Sequence, residues 1–189
     1  MAVEELLELW HLASRLQRAG TLKRVARVGG LSEVLQHRLP VPVVRVCYRV
    51  AYRLAKVYWF VVRPNVHGVK GVLRDGDRVL LVRHTYGDRQ RWDIPGGHAH
   101  SREPAAAAVR REMEEELGIA TSWVHVGSIP AETDHKHESV HVFVSDRRAH
   151  HDLVLARGEI AEAQWFALDA LPSPMGDLSV RALAVVGTA

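Results

Sequence analysis

The chain has 189 residues, of which 47% are hydrophobic and 25% charged, and its formal net charge at pH 7 is +3. This composition is that of an ordinary globular protein, and it argues against a disordered or repetitive chain. The single cysteine, Cys47, cannot form an internal disulfide and cannot build a zinc cluster. We therefore expect a reducing, cytoplasmic setting. The mild positive charge suits anionic ligands such as phosphate esters, and the absence of a long basic run gives no indication of nucleic acid binding.

Two amphipathic helices are predicted in the first third of the chain. In residues 3–18 the apolar residues fall roughly on one side, as they do in residues 42–62. The second helix carries a basic stripe with helical spacing, made of Arg45, Arg49, Arg53, Lys56 and Arg63. Its apolar side holds Val46, Val50, Leu54, Val57 and Val61. We expect this side to pack against the rest of the protein or a second subunit, with the stripe in water. Binding to an anionic membrane surface is the alternative, and it is not favoured.

The pattern changes after Pro64. Residues 66–73 and 78–84 are rich in Val and Leu and predict two strands, and Asp75-Gly76 between them is typical of a hairpin turn. A loop then leads to a helix over residues 104–117.

More strands and a closing helix are predicted beyond Gly118, which can end the helix 104–117. The strands fall at residues 124–129, 140–145 and 163–167, and the helix at residues 178–186. Strands on both sides of one central helix predict an α/β or α+β fold, a sandwich with a mixed sheet.

Three glutamates share one face of the predicted helix 104–117. Glu112, Glu115 and Glu116 lie three and four residues apart, and carboxylates at this spacing repel each other unless a cation lies over them. Mg²⁺ prefers carboxylate oxygens and is the natural partner. Arg111 stands beside them and can hold a carboxylate through two parallel hydrogen bonds, with Glu103 as its plausible partner. The other interpretation is a highly charged helix that faces solvent.

The complete motif decides between these interpretations. The segment from Gly97 to Ile119, GHAHSREPAAAAVRREMEEELGI, resembles the Nudix box in every fixed position, including Glu103, the pair Arg111-Glu112 and the pair Glu115-Glu116. The resemblance covers roughly residues 65–189, and residues 1–62 lie outside it. It implies a Nudix hydrolase domain at residues 63–189 that follows an N-terminal helical extension at residues 1–62.

The resemblance also implies an activity and a site. The fold would be an αβα sandwich, and the reaction would be hydrolysis of a diphosphate linkage in a nucleoside diphosphate derivative, such as a nucleotide sugar or a nucleoside triphosphate. The cofactor would be Mg²⁺, with Mn²⁺ as a further option. The implied metal ligands are Glu112, Glu115, Glu116 and the backbone carbonyl of Gly97, and Arg111 with Glu103 would form an orienting ion pair.

The remaining roles stay open at this stage. The general base is one of the box glutamates or a later residue such as Glu159 or Glu162, although both later residues are expected to be exposed at the surface. Arg83, Arg91 and Glu159 are candidate substrate-binding residues, and solvated arginines are about as plausible for the first two.

A catalytically inactive, Nudix-like nucleotide-binding or regulatory module is the alternative function, but the intact glutamates argue against it. Diphosphate isomerisation on the same fold would call for a cysteine near the site, whereas Cys47 lies far upstream. The expected partner is a small phosphoanhydride substrate, with no nucleic acid and with a homodimer as an option.

Overall fold

The structure is a computed structural model that describes residues 40–63, 65–100, 102–133, 135–145 and 153–187. The helix predicted at residues 3–18 lies outside these ranges. In the described part the elements are α1 (Val41–Val62), β1 (Asn65–Val72), β2 (Arg74–Asp75), β3 (Arg78–His84), α2 (Ala105–Leu117), β4 (Trp123–Thr133), β5 (Lys136–Ser145), β6 (Ile160–Ala167) and α3 (Asp177–Gly187).

The described strands form two sheets of three strands. In the first sheet the order is β1-β5-β4, with β1 parallel to β5 and β4 antiparallel to it. The second sheet has the order β2-β3-β6 and is antiparallel. The prediction of a mixed sheet is therefore confirmed.

The predicted hairpin is present but smaller than expected. The strand at residues 66–73 was expected to pair with β3, but β1 pairs with β5 in the other sheet, and only Arg74–Asp75 pairs with β3. The turn at Gly76 has a φ of 60°, which glycine adopts at little cost. The chain changes sheets at Leu73, which is fully buried and whose carbonyl accepts the N–H of Leu80. Burial of this residue between the sheets stabilises the bend, and no local sequence signal marks it.

Both faces of the sheets are covered, so the predicted αβα sandwich is confirmed. In β3, Leu80 and Val82 pack in the cluster that includes α2, whereas Val79 and Leu81 pack in the cluster that includes α3. Neighbouring residues of a strand point to opposite faces, and a strand buried on both faces reads as a continuous apolar run.

Helix α2 begins and ends where the sequence predicts. Pro104 stands just before it with φ −62° and ψ 139°, and Gly118 ends it in the left-handed region at φ 69°. The N–H of Gly118 donates to the carbonyl of Glu114 at 3.0 Å. Val109, Met113 and Leu117 are buried on one side of α2, and Glu116 is buried with them, whereas Glu114 and Glu115 are exposed.

Helix α1 belongs to the same compact unit as the sheets, which runs from Val41 onward. A division of the chain between residues 62 and 63 stays a prediction about its organisation. No helix among the described residues is long and apolar enough to cross a membrane.

The prediction that the apolar side of α1 packs on the rest of the chain while the basic stripe faces water is wrong, whereas packing of the apolar side on a second subunit stays a prediction. The side that was expected to be buried is exposed, with exposed fractions between 42% and 74% for Val46, Val50, Leu54, Val57 and Val61. The opposite side faces the unit: Arg45 and Arg49 donate from Nε to the carbonyl oxygens of Arg157 and Thr85, both at 3.1 Å, and Val44 is buried. The surface that meets α1 offers backbone carbonyls, a tyrosine and a carboxylate, and these are better partners for Arg and Tyr than for Val.

Candidate active site

Arg111 holds the carboxylates of α2 in place. Its Nη1 donates to Oε1 of Glu112 at 2.8 Å and to Oε2 of Glu115 at 3.3 Å. Its Nε and Nη2 donate to the two carboxylate oxygens of Glu103 at 3.0 and 2.9 Å, and Nη2 also donates to the carbonyl of His98 at 3.0 Å. The Arg111–Glu103 pair is thus bidentate, and one guanidinium fixes the positions of three carboxylates.

The three carboxylates around Arg111 differ in environment. The hydrogen bonds from Arg111 lower the pKa of Glu103, which also accepts the N–H of His100 at 2.8 Å. Burial raises the pKa of Glu112 to about 7, although the charge of Arg111 lowers it. Glu115 is about half exposed, so it lies at the open side of the group.

Two glycines bring the loop before α2 close to these glutamates. Gly96 has a φ of 144°, and a Cβ there would lie 2.1 Å from the carbonyl oxygen of Val69. A Cβ on Gly97 would lie 2.5 Å from the carboxyl carbon of Glu112. The carbonyl of Gly97 accepts the N–H of Val69 at 2.9 Å, and its second lone pair remains for another partner.

Glu116 forms a second group with Glu159 and His84. Glu116 is almost fully buried and accepts the N–H of Gly96 at 3.2 Å. Glu159 accepts a hydrogen bond from the Tyr86 hydroxyl at 2.8 Å. Burial raises the pKa of Glu159, although hydrogen bonds from Tyr86 and Tyr48 lower it. The ligand atoms of His84, Glu116 and Glu159 lie within 4.8 Å of one another.

The expectation that Glu159 lies exposed at the surface is not met. Its carbonyl accepts the N–H of Thr85, and this bond ties the turn before β6 to the end of β3. The pairing of β3 with β6 shifts in register between Arg83 and His84, so the two side chains have different partners. Arg83 pairs with Glu162, whereas His84 lies with Glu116 and Glu159. Neither the turn contact nor the bulge has a local sequence signal, so His84 was missed as a site residue.

This group fits a divalent cation. Burial raises the pKa of Glu116 well above its usual value, and the charge of Glu159 raises it further. Two ligands on opposite sides of one Mg²⁺ lie about 4 Å apart, which is close to the observed spacing. In addition, Nδ1 of His84 is buried and has no hydrogen-bond partner among the described residues. Glu112 and Glu115 lie near this group, because the charge of Glu112 raises the pKa of Glu116 and the charge of Glu115 raises the pKa of Glu159. They would add ligands at its edge.

A cavity of about 830 Å³ opens beside the glycine loop. Its lining includes Gly96, Gly97 and His84 from the site, and Arg49, Tyr52, Arg53 and Lys56 from α1. Cavities that bind small ligands have about this size, so a nucleotide can enter it.

The two arginines predicted to bind substrate lie in different places. The guanidinium of Arg83 is paired with Glu162 and lies 4.9 Å from the ring centre of Trp92, and Arg83 is not among the residues that line the cavity. Arg91 does line the cavity, and its Nε donates to Oδ2 of Asp93 at 3.1 Å.

The chain is similar to known proteins over the part that carries this site. It matches the family described as NUDIX domain over residues 63–184. Among solved structures, a MutT NUDIX hydrolase from Burkholderia pseudomallei is 27% identical with a TM-score of 0.59, and the match covers 65% of this chain and 98% of the other. The MutT protein from Methanosarcina mazei Go1 is 23% identical with a TM-score of 0.55, over 67% and 96% of the two chains, and supports the fold alone. No curated protein matches.

Proposed function

Because the chain belongs to the Nudix hydrolase family, we propose that it cleaves a diphosphate linkage in a nucleoside diphosphate derivative with the help of bound Mg²⁺ or Mn²⁺. One observation carries the proposal. Arg111 holds the carboxylates of Glu112 and Glu115, and their charges act on Glu116 and Glu159. Glu116 and Glu159 form a buried group with His84 beside a cavity of about 830 Å³.

The proposed roles follow from these positions. Glu112, Glu115 and Glu116 hold the cation with the carbonyl of Gly97, and Arg111 with Glu103 keeps their carboxylates in place. When bound, the cation would neutralise charge on the phosphate oxygens and lower the pKa of an attacking water. A carboxylate of this group that does not ligate the cation accepts the proton of that water.

The imidazole of His84 bears on the choice of cation. Mg²⁺ binds oxygen ligands almost exclusively, whereas imidazole is a good ligand for softer divalent ions. A site that includes His84 should therefore work with Mn²⁺ at lower concentrations than with Mg²⁺.

The test is a substrate screen with purified protein and either cation, with ADP-ribose, other nucleotide sugars, nucleoside triphosphates and dinucleoside polyphosphates as substrates. Released phosphate or nucleotide is measured for the parent, Glu115→Gln and Glu116→Gln. We expect each variant to lose activity on the order of a hundredfold, because each loses a charge at the site while nearly keeping its shape. Glu114→Gln is the matched control, since Glu114 is exposed on the same helix. Full turnover by both variants at limiting Mg²⁺ would show that Glu115 and Glu116 are not metal ligands.

The same screen separates the alternatives. An inactive nucleotide-binding module would bind these compounds without turnover. Diphosphate isomerisation has less support, because Cys47 is exposed on α1 and is not among the residues that line the cavity.

The proposed partners are a small phosphoanhydride substrate in the cytoplasm and a second copy of the chain, with no nucleic acid. The exposed apolar side of α1 offers a surface for the second copy, as Val46, Val50 and Val57 show. An anionic membrane is less suitable, because Arg49, Arg53 and Lys56 line the cavity. Light scattering tests for the second copy, and co-sedimentation with anionic vesicles tests for the membrane.

A further inference from the structure

Helix α1 lies before the range that matches the family, yet it supplies one wall of the cavity. Arg49, Arg53 and Lys56 line this wall at helical steps of four and three, so they follow one side of the helix. Three of the five residues of the basic stripe, which was expected to face water, therefore line the cavity.

Contacts along α1 keep this side turned inward. Arg49 donates to the carbonyl of Thr85 at 3.1 Å, and the rings of Tyr48 and Tyr52 lie 5.9 and 5.3 Å from the ring of Tyr86. Farther along, the Trp59 ring lies 4.4 Å from Nζ of Lys136. A helix held at several points along its length is a wall of fixed composition for any ligand in the cavity.

The lining of the cavity holds more basic than acidic side chains. Among the described residues its lining contains four acidic side chains, Asp88, Asp93, Glu138 and Asp177, and seven basic ones, Arg49, Arg53, Lys56, Lys70, Arg89, Arg91 and Lys136. A cation bound at the carboxylates would offset their own charge and hold the diphosphate there, so the cations of α1 are not needed for that contact. The neutral sugar of a nucleotide sugar has hydroxyl groups, which are better matched by carboxylate and amide oxygens than by a row of cations. The basic wall is better matched to additional phosphate oxygens.

We propose that Arg53 and Lys56 of α1 bind a phosphate group beyond the diphosphate held at the carboxylates, so that the substrate is a nucleoside triphosphate or longer polyphosphate. This inference rests on the proposed function, because the carboxylate site must hold the diphosphate. Helix α1, which lies outside the range that matches the family, would then select the substrate by its charge.

The experiment measures equilibrium binding to the full chain in the presence of Mg²⁺. The probes are the α,β-methylene analogues of ATP and ADP, which resist cleavage between the α and β phosphates and differ by one phosphate group. The double variant Arg53→Gln/Lys56→Gln removes two charges from the wall. We expect its affinity for the ATP analogue to fall roughly tenfold, since charge-assisted contacts at a partly exposed site are lost, and its affinity for the ADP analogue to change little.

The control is Arg78→Gln/Arg110→Gln, which removes the same net charge at exposed positions that do not line the cavity. It should bind both analogues as the parent does. Equal losses for both analogues in the wall variant, or no loss for either, would overturn the assignment of a third phosphate to α1. If the parent binds neither analogue, the proposed function is overturned as well. If the parent binds both analogues tightly and the wall variant binds them equally well, this inference alone is overturned.

Discussion

Arg111 donates to Glu103, Glu112 and Glu115, so its charge is shared between α2 and the loop before it. Lysine has one compact ammonium group and cannot reproduce the bidentate fork. We expect Arg111→Lys to weaken Mn²⁺ binding in calorimetry and to lower kcat/KM, each by roughly 10- to 100-fold, as is usual when a residue that orients metal ligands is changed. Arg110→Lys, at an exposed position on the same helix, is the control. Unchanged kinetics and metal affinity in Arg111→Lys would show that the fork is not needed.

The buried carboxylates predict a pH dependence that a cation should reverse. Burial raises the pKa of Glu112 to about 7 and also raises the pKa of Glu116 and Glu159. Between about pH 4.3, the value for an unfolded chain, and pH 7 the metal-free folded protein binds more protons than the unfolded chain, so its free energy of unfolding falls as the pH rises. Cation binding needs ionised carboxylates and must release protons there.

We therefore expect Mn²⁺ to raise the Tm more at about pH 8 than at about pH 6, because fewer protons then have to leave. Calorimetry in buffers with different ionisation enthalpies measures the released protons directly. Glu112→Gln should release fewer protons near pH 7 than the parent, and equal release from both proteins would contradict the high pKa of Glu112.

At the scale of elements, the two neighbouring glycines in the loop before α2 differ in how well they would tolerate a side chain. A Cβ on Gly96 would meet the backbone oxygen of Val69, which cannot move without disturbing β1, and its φ of 144° is unfavourable for alanine. The three atoms nearest to a Cβ on Gly97 all belong to the carboxylate of Glu112, the end of a side chain.

Gly96→Ala should therefore destabilise the fold by about 2 kcal/mol or more, whereas Gly97→Ala should mainly weaken metal binding. Thermal unfolding and Mn²⁺ titration of the two variants test this contrast. Similar unfolding temperatures for both variants would show that the close approach of Gly96 to Val69 is not important.

Most elements could be predicted from the sequence because their signals are local. The alanine-rich start and Gly118 at the end fix the limits of α2, and glutamates three and four residues apart share a face in any α-helix. The pairing of β1 with β5 joins segments about seventy residues apart, and nothing within β1 specifies that partner. The position of Glu159 depends in the same way on contacts with Tyr86 and Thr85 across the fold.

At the scale of the whole molecule, the orientation of α1 shows what amphipathicity leaves undetermined. The spacing of apolar residues distinguishes two sides of a helix, and the usual inference is that the apolar side is buried. Here the side with Val44, Tyr48 and Tyr52 meets the protein, with Arg49 at its edge. The surface it covers contains carbonyl groups and the ring of Tyr86, beside a cavity lined by basic residues. The function of the covered surface, rather than the hydrophobicity of the helix, explains which side faces it.

Removal of α1 should therefore affect both stability and ligand binding. Deletion of residues 1–62 exposes Tyr86 and Glu159 to water, removes the buried contact of Val44 and takes away the basic wall. We expect the Tm to fall by several degrees relative to a variant that lacks only residues 1–39, because lost burial of this size costs a few kcal/mol. The same comparison should show weaker binding of the α,β-methylene analogue of ATP. Calorimetric unfolding and binding measure both effects. Light scattering on the two truncated proteins shows whether α1 also holds two copies together. The role of α1 as part of the folded unit would be contradicted if the protein without residues 1–62 were monomeric and kept its Tm and its nucleotide affinity.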